Sequence, residues 1–223
     1  QEEAAALAAK FSENLLDATN AHAELVTAPE HLAGLPADVV EVARASAEKA
    51  GVAGWRFTLH APSYGPVMQY ADNRDLRARM YRAYATRASE FGDAALDNAP
   101  LISRLLQLRA EEAAILGYRS FADVSLVPKM AESPEQVLGF LREMARKARP
   151  FAEQDVAALR AFAREELKLD PLEPWDMAWV SEKLMQKRYA FSDQEVKQYF
   201  TEPKVLAGLF RVVETLFSVT IRP

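Results

Sequence analysis

The pattern of apolar and polar positions is helical over most of the chain. Leu7, Phe11, Leu15 and Ala18 recur at helical spacing across residues 1–20, with Leu16 beside them. His22 to Pro36 reads as a connector broken by prolines and a glycine. Residues 37–50 carry Val39, Val40, Val42, Ala43 and Ala47 in a second helix, closed by Gly51 at its C-terminal cap. Gly51 and Gly54 bracket a turn. Trp55 to Leu59 alternates apolar with polar residues and is the one strand candidate. Pro62–Tyr70 reads as a short helix or turn. Asn73 is placed to cap a helix over 74–90 with Leu76, Met80, Tyr81 and Tyr84 on one side. Asn98 is placed to cap the next, with Leu101, Leu105, Leu108 and Glu112 in register and Gly117 just past its end. A short helical turn is expected over 119–126.

Ser133-Pro134-Glu135-Gln136 is a strong start signal: a capping serine, proline at the first helical position and glutamine in the capping-box position. The apolar repeat that follows, from Val137 through Phe140, Met144, Phe151 and Phe162 to Leu167, predicts a rod of roughly 50 Å. Pro150 is expected to kink it or split it in two. Pro174 opens a further helix with Asp176 in its first turn, where the helix dipole favours negative charge. Ser192 is placed to cap another, with Glu195 three residues on, and Pro203 opens a last helix through Val205, Leu206, Leu209, Phe210, Val213 and Leu216. The fold class is therefore all-α: a multi-helical scaffold with long helices and at most one short strand or hairpin near 55–59. A sub-boundary is expected near 127–133, dividing a helical scaffold (1–128) from a long helix pair with aromatic-rich helices (129–223).

Charge and composition narrow the function. The net charge is −5, with basic and acidic residues interspersed. That argues against a nucleic-acid partner, because neutralising phosphates needs a basic excess. Cysteine is absent, which excludes disulfides and thiolate metal sites and is compatible with a reducing cytoplasm. No apolar run approaches the roughly 20 residues of a membrane span. Gln1 opens directly into helical pattern and Pro223 follows the apolar run FSVTI, which predicts an internal portion of a longer polypeptide.

The residues assemble no catalytic site. A zincin needs two histidines four apart on one helix with a glutamate between them. The 3 histidines, His22, His31 and His60, have no such spacing and read as surface or hydrogen-bonded structural residues. His22-Ala23-Glu24 matches half of a deaminase signature whose other half requires cysteine. The neighbouring carboxylates Glu2-Glu3, Glu111-Glu112 and Glu165-Glu166 point about 100° apart on a helix and read as solvated faces. Arg142, Arg146, Lys147 and Arg149 make a candidate anion patch or, more simply, a solvated helix face. Catalytic and metal-ligating assignments on this chain are therefore none.

Six aromatics, Trp175, Trp179, Tyr189, Phe191, Tyr199 and Phe200, fall in the stretch LDPLEPWDMAWVSEKLMQKRYAFSDQEVKQYF (169–200). They read either as a junction where helices pack or as the wall of a peptide groove. The same stretch resembles bacterial members of the thimet oligopeptidase family of zinc metallopeptidases. The resemblance rests on Trp175-Asp176, Ser181-Glu182-Lys183 and Tyr199-Phe200 followed by Pro203. It continues through FSENLLDAT (11–19), LAGLP (32–36), APSYGPVMQYADN (61–73), MYRAYATRASE (80–90) and KMAESPEQVLGFL (129–141). Trp179 and Val180 stand where that family has paired tyrosines, which puts in doubt any hydroxyl-dependent role there.

The resemblance implies a parent zinc endopeptidase of the cytoplasm that hydrolyses short unfolded peptides, including signal-peptide fragments. Its two helical halves face across a deep channel, with a His-Glu-x-x-His motif later in sequence than the part matched. On that expectation this chain supplies helical wall and scaffold, binds no zinc itself, is inactive alone and has the missing catalytic half as its partner. The competing expectation is a non-catalytic helical module that binds peptides or a partner helix.

Overall fold

The computed structural model describes residues 1–190 and 193–222 and is built of helices joined by short turns, with one two-stranded hairpin. Helix α1 (Glu2–Ala21) places Leu7, Phe11, Leu15 and Ala18 on its half-buried face, while Leu16 is exposed, as the repeat requires. Strand β1 (Ala23–Val26) leads through a 3₁₀ turn at Pro29–Leu32 to α2 (Ala37–Lys49). Gly51, at φ 71°, ends α2 in a Schellman motif: its own N–H donates to Glu48 O at 3.0 Å and that of Val52 to Ala47 O at 3.0 Å. Strand β2 (Trp55–Thr58) then returns antiparallel to β1, with Val26 opposite Trp55 and Ala23 opposite Thr58. Gly54, at φ 104°, allows the close approach, since a methyl group there would collide with the Val26 carbonyl oxygen.

Helices α3 (Ala61–Tyr70) and α4 (Arg74–Ala85) close over this hairpin. The core they form is Val26, Ala43, Phe57, Leu59, Val67, Met68, Ala71, Leu76 and Met80, with Tyr81 and Trp175 packed at its edge. Asn73 caps α4 as expected, accepting from Leu76 N at 2.9 Å. The helix ends at Ala85, short of residue 90. Helix α5 (Ala99–Ile115) packs against α1, and Arg104 on α5 joins the two by reaching Glu3 at 2.8 Å. Helix α6 (Phe121–Leu126), capped by Ser120, precedes α7 (Pro134–Glu165). Ser133 caps α7 by accepting from Gln136 N at 3.1 Å, and the Gln136 side chain accepts from Glu132 N at 2.7 Å.

Three local expectations are corrected. The connector 22–36 holds strand β1, which four residues of AELV could not announce without the partner β2. Asn98 stands at the N-cap of α5 yet makes no side-chain cap. It accepts instead from Asn14 Nδ2 at 2.9 Å and donates to Phe11 O at 3.0 Å, while Asp97 accepts from Ala99 N at 2.9 Å. Of the two outcomes expected at Pro150, the split is excluded, because α7 runs unbroken for 32 residues with the proline inside it. Residues 141–155 are exposed throughout, so the carbonyl that proline leaves without a donor faces water.

The chain divides into two compact units, Gln1–Val180 and Ser181–Pro223, within helix α8 (Met177–Tyr189). The second unit holds the rest of α8, a short α9 (Asp193–Lys197) and α10 (Glu202–Phe217). Phe191 and the expected Ser192 cap lie outside the described residues. Among the described residues no helix is long and apolar enough to cross a membrane.

Candidate functional site

The residues singled out in the 169–180 stretch converge on one carboxylate. Glu173, Pro174 and Trp175 lead into a 3₁₀ turn ending at Asp176, whose Oδ2 accepts from Glu173 N at 3.1 Å in a capping box. The same carboxylate is fully buried and meets two arginines one turn apart on α4. Arg77 Nη2 donates to Oδ1 at 2.7 Å, and Arg74 Nη2 donates to Oδ2 at 2.7 Å with its Nε bridging both oxygens. The other Arg77 donors reach Ala71 O at 2.6 Å and Trp175 O at 3.2 Å, so this guanidinium, itself 1% exposed, is satisfied by backbone as well as by Asp176. Arg74 adds a bond to Pro171 O at 2.9 Å. Hydrogen bonding to Asp176 holds the Arg74 guanidinium above its usual proton affinity, against the opposing effect of burial.

This clasp positions the two tryptophans. Trp175 packs against Tyr81, ring centroids 6.1 Å apart. Trp179 donates its indole N–H to Asp72 Oδ1 at 3.0 Å, and the Arg77 guanidinium lies 4.5 Å from its ring centre. Val180 is fully buried and, like Trp179, supplies no hydroxyl where the resembling family has tyrosine. The chemistry of the ensemble is that of a fastening: every polar atom named is spent on another protein group, and no nucleophile stands among them.

The other sequence candidates lie apart. His22 follows α1, His31 sits exposed in the 3₁₀ turn, and His60 precedes α3, exposed. Among the described residues no group of three or more His, Cys, Asp or Glu could hold a metal ion. The residues present therefore do not fit a zinc site. Of the aromatic cluster, Trp175 and Trp179 belong to the first unit. Tyr189, Tyr199 and Phe200 are exposed residues of the second. The basic residues of α7 are exposed, with Lys147 paired to Glu143 at 2.6 Å and Arg149 to Glu153 at 2.8 Å. Of the neighbouring carboxylates, Glu3 and Glu111 both pair with Arg104, Glu112 accepts from Gln1 and Glu165 pairs with Arg164. Sequence reading missed Arg74 and Arg77. The signal was an arginine on the apolar side of α4, next to Leu76 and one turn before Met80.

Residues 67–223 match the profile of peptidase family M3, and the chain belongs to that family. Among characterised proteins it is similar to oligopeptidase A of Salmonella typhimurium and of Escherichia coli, each 46% identical over 215 residues, which is 96% of this chain and 32% of those proteins. The probable cytosolic oligopeptidase A of Arabidopsis thaliana is 40% identical over 234 residues, taking in 100% of this chain and 32% of its own length. The chain thus spans about a third of the length of the curated relatives it matches.

Proposed function

We propose that this chain is part of the helical wall and scaffold of an M3-family oligopeptidase that hydrolyses short peptides, signal-peptide fragments included, in the cytoplasm. The observation that carries the scaffold role is helix α7. Phe140, Met144 and Phe151 are exposed along one side of a 32-residue helix, and Leu138 and Leu141 are exposed on it as well. So long an apolar stripe needs a cover, and exposed patches of this kind mark interaction surfaces. The occupant in this reading is the catalytic remainder of the same polypeptide, which supplies the zinc ligands. When bound, zinc supplies an activated water and polarises the peptide carbonyl. This chain's residues contribute shape and position: the Asp176 clasp fixes the Trp175 and Trp179 rings at the end of the first unit.

The test is cleavage of an internally quenched peptide in the presence of zinc. The purified 223-residue chain is expected to be inactive, and the full-length parent active. Zinc-dependent cleavage by the 223-residue chain overturns the scaffold assignment. An inactive full-length parent that still binds peptides overturns the peptidase reading and favours a non-catalytic binding module.

A further inference from the structure

A cavity in the first unit is lined by groups that neither the clasp nor the proposed scaffold role uses. It lies between the C-terminal ends of α1 and α4 and the 86–97 segment, with a volume of about 310 Å³. Arg87 and His22 are on its wall, with Thr86 and Asp93. Arg87 donates through Nε to Tyr84 O at 2.9 Å and through Nη1 to Thr19 Oγ1 at 3.0 Å, and its guanidinium stacks 3.6 Å from the centre of the Tyr84 ring. Among the described residues no carboxylate comes within ion-pair distance of it. A half-buried cation without a counter-charge favours an anion. The His22 ring lies on the wall, and among the described residues its buried Nε2 has no hydrogen-bond partner. Asp93, the one acid of the lining, accepts from Ala95 N at 2.9 Å through Oδ1. The rest of the wall is Leu59, Leu96, Gly92 and alanines, apolar and small.

The wall is also held in place. Ala88, buried, takes a left-handed φ of 49°, and its carbonyl accepts from Asn98 N at 3.0 Å. Asn98 is in turn tied to α1 through Asn14 and Phe11. A segment fixed in an unfavourable backbone conformation by buried amides is pre-organised around the space it encloses.

We propose that this cavity binds a small organic carboxylate. The Arg87 guanidinium neutralises the carboxylate, the His22 ring forms part of the wall beside it, and the apolar wall takes a short aliphatic tail. That wall favours a carboxylate with an alkyl group over an inorganic anion. The source is either a free short-chain acid or the C-terminus of a peptide.

The 3 histidines make the test direct, because His31 and His60 are exposed elsewhere and serve as internal controls. The imidazole resonances of the histidine-labelled 223-residue chain are followed on titration with sodium acetate, N-acetyl-alanyl-alanine and its C-terminal amide, with sodium chloride at matched ionic strength. Saturable movement of His22 alone is expected, with a Kd of roughly millimolar, and neither the amide nor chloride reproduces it. Movement with acetate identifies a free acid, and movement with the peptide acid only identifies a C-terminus. No movement of His22, or equal movement of all three imidazoles, or an equal response to chloride, overturns the proposal. Arg87→Gln is expected to weaken binding at least tenfold, and unchanged affinity overturns the role of Arg87. Ala18→Leu, which narrows the cavity from the α1 side, is expected to weaken binding at least tenfold, which keeps the proposal testable should Arg87→Gln fail to fold.

Discussion

Helices α4 and α7 belong to the same unit and are built from similar residues, yet they spend them in opposite ways. On α4 an arginine is buried with Leu76 and Met80, and each of its donors named above has a partner. On α7 phenylalanine, leucine and methionine stand in water while arginines and lysines pair with glutamates one turn away. Composition alone does not decide burial; the partner does. Asp176, ninety-nine residues distant from Arg77, makes burial of an arginine tolerable, whereas the ion pair that reaches α7 from outside, Arg119 with Glu135, is exposed.

The largest test of the contrast is the clasp. Asp176→Ala leaves the Arg77 charge buried without its partner and is expected to cost about 3–5 kcal/mol in chemical denaturation. The double change Arg77→Met with Asp176→Leu is expected to recover a substantial part of that loss, because replacing both charges with apolar groups of similar volume removes the desolvation cost. A double variant no more stable than the single one breaks this account. The same chemical change made in both settings sharpens the comparison. Phe57→Ala, at a fully buried ring, is expected to cost about 3–5 kcal/mol. Phe151→Ala, at a ring 69% exposed, is expected to stay within about 0.5 kcal/mol in the isolated chain. Equal costs for the two would show that α7 is covered in solution.

A smaller loss is expected at Asn98. Its replacement by Ala leaves the buried Asn14 amide without its partner and removes a second bond to the Phe11 carbonyl, at about 1–3 kcal/mol. The smallest effect is electrostatic. The hydrogen bond from Arg104 holds the Glu3 carboxyl below its ordinary value of 4.5. A carboxyl lowered in the folded state contributes stability at pH above that ordinary value and loses it as pH falls through the lowered one. Both groups are solvent-screened, so the contribution is slight. Titration of Glu3 by NMR is expected to show the lowered value, and Arg104→Gln to return it to the ordinary range.

Most of the fold was legible in the chain. The helical periods, the caps at Asn73 and Ser133, the glycine stops at 51 and 117 and the strand at Trp55 are local signals, written within a few residues of where they act. What was not legible is pairwise and distant. Strand β1 exists because β2 lies beside it. Asn98 abandons its cap because Asn14, on another helix, offers a buried partner. The clasp was half visible: Trp175-Asp176 stood out as a motif, but nothing local to Arg74 and Arg77 pointed to an acid about a hundred residues away. The catalytic assignment stayed empty for a plainer reason, that 3 histidines without zincin spacing carry no metal motif.

The proline in α7 has a mechanical consequence. A helix resists bending through its ladder of i→i−4 bonds, and at residue 150 one rung is missing near the middle of a rod about 48 Å long. Bending stiffness is lowest at that rung. A load applied to one end, whatever docks there, deflects the rod at Pro150 before it strains either half. The two halves therefore act as levers about a built-in fulcrum, and the apolar stripe that crosses it can follow a surface that is not straight.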